Sequence, residues 1–154
     1  MYPFFVYTLL AEEEAAIVGT RASSKHSGYK TSTLIDGLNL DTWSAAGCAH
    51  TNDGLLEWFS LELDIPKIVT RVQIAARWEC CPERVQNVSI TVGASQIYDP
   101  NEPLCRPVGD LKHEAGLKEY LCSSLHEGKF VKISRSGFLG LCEIKIFTIP
   151  GTCE

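Results

Sequence analysis

The sequence predicts an all-β protein built from short antiparallel strands that form a sandwich or a barrel. Two observations lead to this prediction: apolar and polar residues alternate along several segments, and turn-forming clusters separate those segments. With 154 residues, of which 45 % are hydrophobic and 21 % charged, the chain is long enough for one domain with its own core.

The alternation locates the strands in chain order. In WFSLELD, residues 58–64, Phe59, Leu61 and Leu63 alternate with polar residues, which predicts a half-buried strand. Four further segments show the same pattern: IVTRVQIAAR (68–77), VSITVG (88–93), KFVKIS (129–134) and CEIKIFTI (142–149). In the first of these, the predicted apolar face consists of Ile68, Val72 and Ile74. Two segments have helical composition instead: AEEEAA (11–16), which predicts a helical turn, and DLKHEAGLKEYL (110–121), which Gly116 interrupts.

Charge and hydropathy exclude two classes of partner. The net charge is −5, and basic and aromatic residues do not interleave, so we expect no nucleic-acid binding. No run reaches the roughly 20 apolar residues of a membrane span, so we expect no membrane insertion. The apolar start, MYPFFVYTLLA, lacks the positive flank of a secretory signal, and we expect residues 1–14 to form an N-terminal extension or an added edge strand.

The cysteine content predicts disulfides and a secreted, extracellular protein. The chain has seven cysteines, a high number for a reducing compartment, and no pair has the spacing of a zinc site. Because the number is odd, at most three bridges form and one thiol is left over.

The segment RWECCPER, residues 77–84, places adjacent cysteines between two arginines. Cys80 and Cys81 have three options: both reduced, each bonded elsewhere, or bonded to each other in a strained ring, since consecutive Cα atoms lie only about 3.8 Å apart. Such a ring offers a small apolar plate, and Arg77 and Arg84 each carry five donors in a fixed fork. Glu79 is close enough in sequence to brace one fork. An apolar disulfide ring beside two guanidinium groups suits a sugar, which has hydroxyls at its edge and C–H groups on its face. The alternative interpretation of these charged residues is a surface salt-bridge cluster.

His50 is followed after 26 residues by Arg77, then Glu79, then Arg84 after four more. This arrangement resembles the fucose-binding motif of the F-type lectins (fucolectins). GCAHTND, EWFSLEL, LIDGLN and LGLCEIKIF resemble other family segments, so that the similarity extends over about residues 15–148. Glu79 stands where the family has an aspartate, and LLEWF lacks the family's Asn-Pro.

The resemblance implies a fold, a function and a site. The fold is an eight-stranded, jelly-roll-like antiparallel β-sandwich related to discoidin domains, here a single F-type lectin domain over residues 15–154. The function is non-catalytic recognition of terminal L-fucose on fucosylated glycans. In the implied site, His50, Arg77 and Arg84 hydrogen-bond the ring oxygen and the 3- and 4-hydroxyls of the sugar, and Glu79 braces an arginine. The Cys80–Cys81 bridge packs on the sugar face. Trp43 contacts the methyl group, and His26 and Tyr29 form the rim.

The resemblance also implies disulfides and a structural calcium ion. The pairs are Cys80–Cys81, Cys48–Cys142 and Cys105–Cys122, with Cys153 left over. Calcium binds oxygen ligands, and those implied are the side chains of Asp36 and Glu143 and the carbonyl groups of Thr33, Leu38, Gly47 and Cys142. At Gly47 the family has a serine, whose hydroxyl is a further ligand.

Alternatives and smaller expectations complete the predictions. A discoidin-like domain that binds phospholipid or protein through loop aromatics is the second function; a glycosidase is the third, but it needs two facing carboxylates. Because single-site sugar binding is weak, a homo-oligomer is a candidate for avidity. Asn87 begins a glycosylation sequon, and His113 and His126 are expected to be solvated.

Overall fold

The computed structural model describes residues 11–27, 29–38, 42 and 47–151. In that part of the chain, seven antiparallel strands make up the fold: β1 (Glu13–Glu14), β2 (Ile17–Ala22), β3 (Ala49–His50), β4 (Glu57–Ala76), β5 (Ser89–Gly93), β6 (Leu117–Arg135) and β7 (Gly140–Pro150). Two short 3₁₀ helices lie at Thr31–Ile35 and Pro82–Val85. The predicted all-β antiparallel sandwich is therefore confirmed, with seven described strands where the resemblance implied eight.

Two long strands connect the layers of the sandwich. The first part of β4, residues 57–62, pairs with β2 and with the end of β6, which in turn pairs with β5. The second part, residues 67–76, pairs with the start of β6 and with β7, which also carries β1 and β3. The segments 58–64 and 68–77 thus form one bulged strand, because the irregularity between Glu62 and Lys67 bends the chain without ending the pairing.

The predicted alternation matches the core. Phe59, Leu61 and Leu63 are fully buried on β4 and pack with apolar residues of the other strands in one cluster. The face predicted for residues 68–77 is correct at Val72 and Ile74, which are buried. The prediction is wrong at Ile68, which is only half-buried, while its neighbour Val69 is buried in its place. The buried face changes there because a second bulge follows Val69.

Neither of the two segments with helical composition is helical in the structure. Glu13 and Glu14 pair with β7 as an edge strand, so the predicted helical turn in AEEEAA is wrong. In DLKHEAGLKEYL, β6 begins at Leu117, directly after Gly116 at a φ of 87°. Sheet pairing outweighs helix propensity in both places, since propensity contributes less than 1 kcal/mol per residue for ordinary side chains.

Three disulfides cross-link the described chain, in the pairs that the resemblance implies. Cys48–Cys142 joins the residue before β3 to β7 across 94 positions, and Cys105–Cys122 joins a loop to β6. The third is the Cys80–Cys81 bridge. Cys153 lies outside the described residues. Within the described part, there is no helix with the length and apolar character needed to cross a bilayer.

Away from the loops around His50, the sheet encloses one buried cation. The Lys132 side chain on β6 is 0 % exposed. Its ammonium group donates to the carbonyl oxygens of Ser95 (2.5 Å) and Ile97 (2.6 Å) and to a carboxylate oxygen of Glu102 (2.7 Å). Three donors meet three acceptors, which fixes the loop after β5 to the sheet.

Candidate functional site

His50 forms the floor of the candidate site. It ends the short strand β3 and pairs in register with Gly140 at the start of β7. The pairing requires glycine there, because a Cβ at position 140 would lie 2.6 Å from Cδ2 of His50. Close strand contact therefore buries the imidazole, which belongs to a residue only 2 % exposed.

The hydrogen bonds of His50 define its protonation state. Nδ1 lies 2.9 Å from the Thr51 carbonyl oxygen, which only accepts, so Nδ1 carries the proton. Nε2 lies 3.0 Å from Nη1 of Arg84, which only donates, so Nε2 is the acceptor. Burial, the main cause, and the positive charges of Arg84 and Arg77 together lower the pKa of His50 to about 4, although the hydrogen bond to the Thr51 carbonyl oxygen acts to raise it. The imidazole is therefore neutral near pH 7.

Arg84 lies in the 3₁₀ helix Pro82–Val85 and reaches over the imidazole. Its guanidinium carbon lies 4.4 Å from the ring centroid of Phe138, a cation–π contact that holds the group in one plane. The Phe138 ring in turn lies 5.3 Å from the His50 ring. The side chain of Arg84 is 27 % exposed, so the guanidinium is positioned by neighbours but open to solvent on one side.

The cysteine loop supplies the second guanidinium and an apolar wall. Cys81 takes a left-handed backbone conformation with φ 65°, which turns the chain from the Cys80–Cys81 bridge into the 3₁₀ helix. Arg77 at the start of this loop donates from Nε to Glu79 at 2.9 Å, as expected from their spacing. His113 donates from Nε2 to the Cys80 carbonyl oxygen at 2.7 Å, so the expectation of a solvated His113 is wrong.

These groups meet around one shallow depression, whose lining residues are His50, Arg77, Cys80, Cys81, Arg84, Val85 and Gly140. The structure thus brings together the three polar residues and both cysteines that the sequence predicts for the sugar site. The His26 ring lies at its edge, 5.8 Å from that of His50. Trp43 lies outside the described residues.

Sequence reasoning missed three contributors to the site: Phe138, Gly140 and His113. Phe138 lies in SRSGFLG (134–140), one of the turn-forming clusters that separate the predicted strands, where a lone aromatic residue does not indicate a site. Gly140 matters only through strand register, and His113 only through a contact across 33 positions. His126 lies half-buried on β6, away from the site.

A second group of residues contains the candidate calcium ligands. Asp36 caps the 3₁₀ helix Thr31–Ile35, and its Oδ1 accepts the backbone N–H of Leu38 at 3.0 Å. From β7, the carboxylate of Glu143, a residue only 2 % exposed, accepts the N–H of Gly37 at 3.2 Å. The two acidic side chains predicted as ligands therefore flank one turn, although no group of three or more His, Cys, Asp or Glu side chains suited to a metal occurs among the described residues.

Known proteins resemble this chain in sequence and fold. It is 31 % identical to Fucolectin-5 of Anguilla japonica over 140 residues, which cover 88 % of this chain and 71 % of that protein. It is 30 % identical to a pentraxin fusion protein of Xenopus laevis over 121 residues, 76 % of this chain. A serum f-lectin (fucolectin) from the striped bass, Morone saxatilis, superposes with a TM-score of 0.78 at 24 % identity over 90 % of this chain. No protein-family model matches the chain.

The share of each relative that the chain covers varies. It spans 29 % of the pentraxin fusion protein and 50 % of the striped bass chain, both of which are longer than the matched region. The structural likeness shows the same β-sandwich fold, and the match to Fucolectin-5 covers more than two thirds of both proteins.

Proposed function

Because the chain belongs to the F-type lectin (fucolectin) family, we propose that it is a lectin that binds terminal L-fucose on glycans in the depression around His50. The single observation that supports this best is the convergence of two guanidinium groups and a neutral imidazole beside a vicinal disulfide. These groups come from three separate parts of the chain, the β3 strand, the cysteine loop and the following 3₁₀ helix.

Each component has a counterpart on the sugar. Guanidinium forks donate paired, coplanar hydrogen bonds, which suit neighbouring hydroxyls of a pyranose. The neutral imidazole accepts the hydrogen bond from Nη1 of Arg84 at Nε2, a role that an imidazolium cannot fill, and so orients this second fork toward the sugar. The Cys80–Cys81 bridge supplies an apolar surface for the C–H groups of the ring. The Glu79 carboxylate holds Arg77 through Nε, so that this fork is oriented before the sugar arrives.

We propose binding without catalysis. A glycosidase needs two carboxyl groups that face each other across the scissile bond, about 5–9.5 Å apart. Two carboxylates adjoin lining residues in sequence: Glu79 is in an ion pair with Arg77 at 2.9 Å, and Glu83 lies 4.0 Å from Nε of Arg84. The groups that line the depression are cationic, neutral or apolar, an arrangement that suits hydroxyl recognition.

We also propose a structural calcium ion at the turn that Asp36 and Glu143 flank. The implied donors are all oxygens, which is the ligand set that calcium prefers, and the buried Glu143 carboxylate beside Gly37 fits such a site. The carbonyl groups of Thr33, Leu38, Gly47 and Cys142 would complete the shell. An ion bound only by the folded state stabilises it by mass action, so EDTA should lower the melting temperature and added Ca²⁺ should restore it; an unchanged melt in calcium-depleted buffer contradicts the site.

The disulfides support secretion. Three bridges within the described residues persist only in an oxidising compartment. We therefore propose an extracellular protein, and a homo-oligomer as the source of avidity for fucosylated surfaces. Size-exclusion chromatography with light scattering, with and without reductant, measures the oligomeric state directly; a monomer in both buffers contradicts the oligomer.

Retention on sugar matrices tests the main proposal. We expect capture on L-fucose–agarose, elution by free L-fucose, and no capture on D-galactose–agarose or on anionic liposomes. The double variant Arg77→Lys/Arg84→Lys keeps the net charge but should pass through the fucose matrix. Capture by the liposomes alone would favour the discoidin-like alternative, and release of fucose from a chromogenic fucoside would show an enzyme.

A further inference from the structure

A second cleft opens beside the candidate fucose site. We name it the hairpin cleft because the turn between β6 and β7 forms one wall. Its lining residues are Asp53, Glu83, Arg84, Arg135, Ser136, Gly137 and Phe138. Its volume is about 440 Å³, within the range of about 300–1,000 Å³ for small-ligand pockets. Arg84 lines both the hairpin cleft and the depression over His50, so the two are neighbours across one guanidinium group.

Local hydrogen bonds shape the cleft walls. Arg135 donates from Nε to the Gln86 carbonyl oxygen at 3.0 Å and from Nη1 to that of Phe138, which fixes the hairpin turn to the end of the cysteine loop. On the other side, Gly137 donates its N–H to the Gly54 carbonyl oxygen at 2.8 Å. The turn is thereby anchored to two other loops, and the cleft does not depend on a single flexible segment.

Gly137 keeps the space between the walls open. Its φ is 92°, a conformation that side chains rarely adopt. A Cβ there would lie 3.0 Å from Nη1 of Arg135 and 3.3 Å from Oδ1 of Asp53. Glycine at this point leaves the guanidinium and the carboxylate facing the same volume.

The charges in the cleft indicate the chemistry of its ligand. Two carboxylates, Asp53 and Glu83, oppose two guanidinium groups, Arg84 and Arg135. Their formal charges cancel, so neither an anion nor a cation is favoured overall. Carboxylates accept hydrogen bonds from hydroxyls and guanidinium groups donate to them, and this combination suits a neutral, polyhydroxylated ligand.

We infer that the hairpin cleft is a subsite for a second, neutral sugar unit of the same fucosylated glycan. The inference rests on the proposed fucose site, because the shared Arg84 places a ligand in the cleft directly beside one in the depression. The protein then recognises at least two linked sugars, and Asp53 and Ser136 contribute to specificity without contacting fucose itself.

Calorimetric titration separates the two sites. The ligands are methyl α-L-fucoside and a panel of fucosylated disaccharides, in which fucose is joined to galactose or to N-acetylglucosamine through different positions. At least one disaccharide should bind more tightly than the fucoside. Asp53→Ala should weaken that disaccharide about tenfold, the effect of losing one hydrogen bond to a charged group. It should leave affinity for the fucoside unchanged.

The matched control is Asp64→Ala, which removes an exposed aspartate from β4 and should change neither affinity. If the parent protein binds the fucoside but no disaccharide more tightly, the subsite is wrong while the proposed function stands. The same conclusion follows if Asp53→Ala keeps the disaccharide advantage. If the parent binds neither the fucoside nor any disaccharide, the fucose site and the subsite are both wrong.

Discussion

Lys132 and Arg84 are both cations held by hydrogen bonds, yet their surroundings differ in one decisive respect. The Lys132 side chain is 0 % exposed, and its three donors meet three acceptors from the chain itself. The side chain of Arg84 is 27 % exposed. Its described contacts are one bond to Nε2 of His50, a stacking contact with Phe138 and a long ion pair with Glu83 at 4.0 Å.

The difference suits Lys132 to a structural role and Arg84 to the recognition role that we propose for it. When an ammonium group is buried with all its donors bonded, removing one partner destabilises the fold strongly. Such a group has no donor left for a ligand. A guanidinium group oriented by a few contacts at the surface keeps donor capacity in a fixed plane, and its removal costs the fold little. We therefore expect substitutions at the two positions to affect different measurements.

The largest effect should come from Lys132→Met. It removes the ammonium donor from two carbonyl groups and from the buried Glu102 carboxylate, which keeps a 3.3 Å bond from the Ser95 N–H. Breaking a buried ion pair costs about 3–5 kcal/mol. Urea denaturation measures this loss in the free energy of unfolding. Where the variant is still folded, its affinity for L-fucose should match that of the parent.

The double variant Lys132→Met/Glu102→Met sharpens this test. It also removes the Glu102 carboxylate, which the single variant leaves without its ammonium partner. Part of the lost free energy of unfolding should be recovered, since an apolar pair can replace a buried ion pair. A loss below about 1 kcal/mol for Lys132→Met would contradict the structural role of this lysine.

The next effect concerns pH and His50. Its pKa is lowered from 6.5 to about 4, mainly by burial, so between these values the unfolded chain binds more protons than the folded one. Its contribution to stability is fully present above pH 6.5 and is lost as the pH falls toward 4, by up to about 3 kcal/mol. Fucose affinity should stay constant from pH 8 to 5.5 and disappear near pH 4, where Nε2 becomes protonated.

Titration calorimetry across this range checks the affinity, and thermal melts check the stability. Because carboxylates also titrate near pH 4, a His50→Gln variant serves as the control for the stability change between pH 6.5 and 5. A loss of fucose affinity with a midpoint near pH 6.5 would show an accessible histidine and contradict its burial.

Arg77→Lys and Arg84→Lys should each weaken L-fucose binding by about 1–3 kcal/mol, the range for hydrogen bonds to charged groups. The charge is unchanged, so a loss reflects the geometry of the fork. Melting temperatures should be nearly unchanged, in contrast to Lys132→Met. The matched control is Arg21→Lys on β2, an exposed arginine that bonds Gln96 and should bind fucose normally.

The smallest effect should come from His113→Ala. His113 positions the cysteine loop through the Cys80 carbonyl oxygen, and the loss of one such bond weakens fucose binding by about 0.5–1.5 kcal/mol. His113→Gln keeps a donor and should restore part of the affinity, which a purely steric role would not predict. His126→Ala, on β6 outside the site, should have no effect on the titration.

The strands were predictable because burial on one face leaves a period of two in the sequence, as at Phe59, Leu61 and Leu63. The continuity of β4 was not, since a bulge between Glu62 and Lys67 reads as a turn when the partner strands are unknown. An added edge strand was one of the two expectations for residues 1–14, but its position at Glu13–Glu14 was not predictable, because adjacent glutamates show no alternation of apolar and polar residues.

The site was predictable where its residues lie in spaced motifs and not where they meet only in the folded chain. The resemblance of His50, Arg77 and Arg84 to a spaced motif of the F-type lectin family indicated these polar groups from the sequence. The buried Lys132 lies in the predicted strand KFVKIS, and its partners come from a loop some 30 positions away. Contacts between residues far apart in the chain produce no periodic pattern in the sequence. The hairpin cleft could not be predicted for the same reason.

The most direct test is an NMR titration of ¹⁵N-labelled protein with L-fucose and, as a matched control, with its mirror image D-fucose. The two sugars have the same groups and polarity and differ only in arrangement. L-fucose should saturate one site per chain and shift the signals of the His50 imidazole nitrogens and of the Arg84 side chain, while those of Lys132 and of the ring of His126 remain in place. Equal shifts with both sugars, or saturation by L-fucose without a change at His50 and Arg84, would contradict the proposed fucose site.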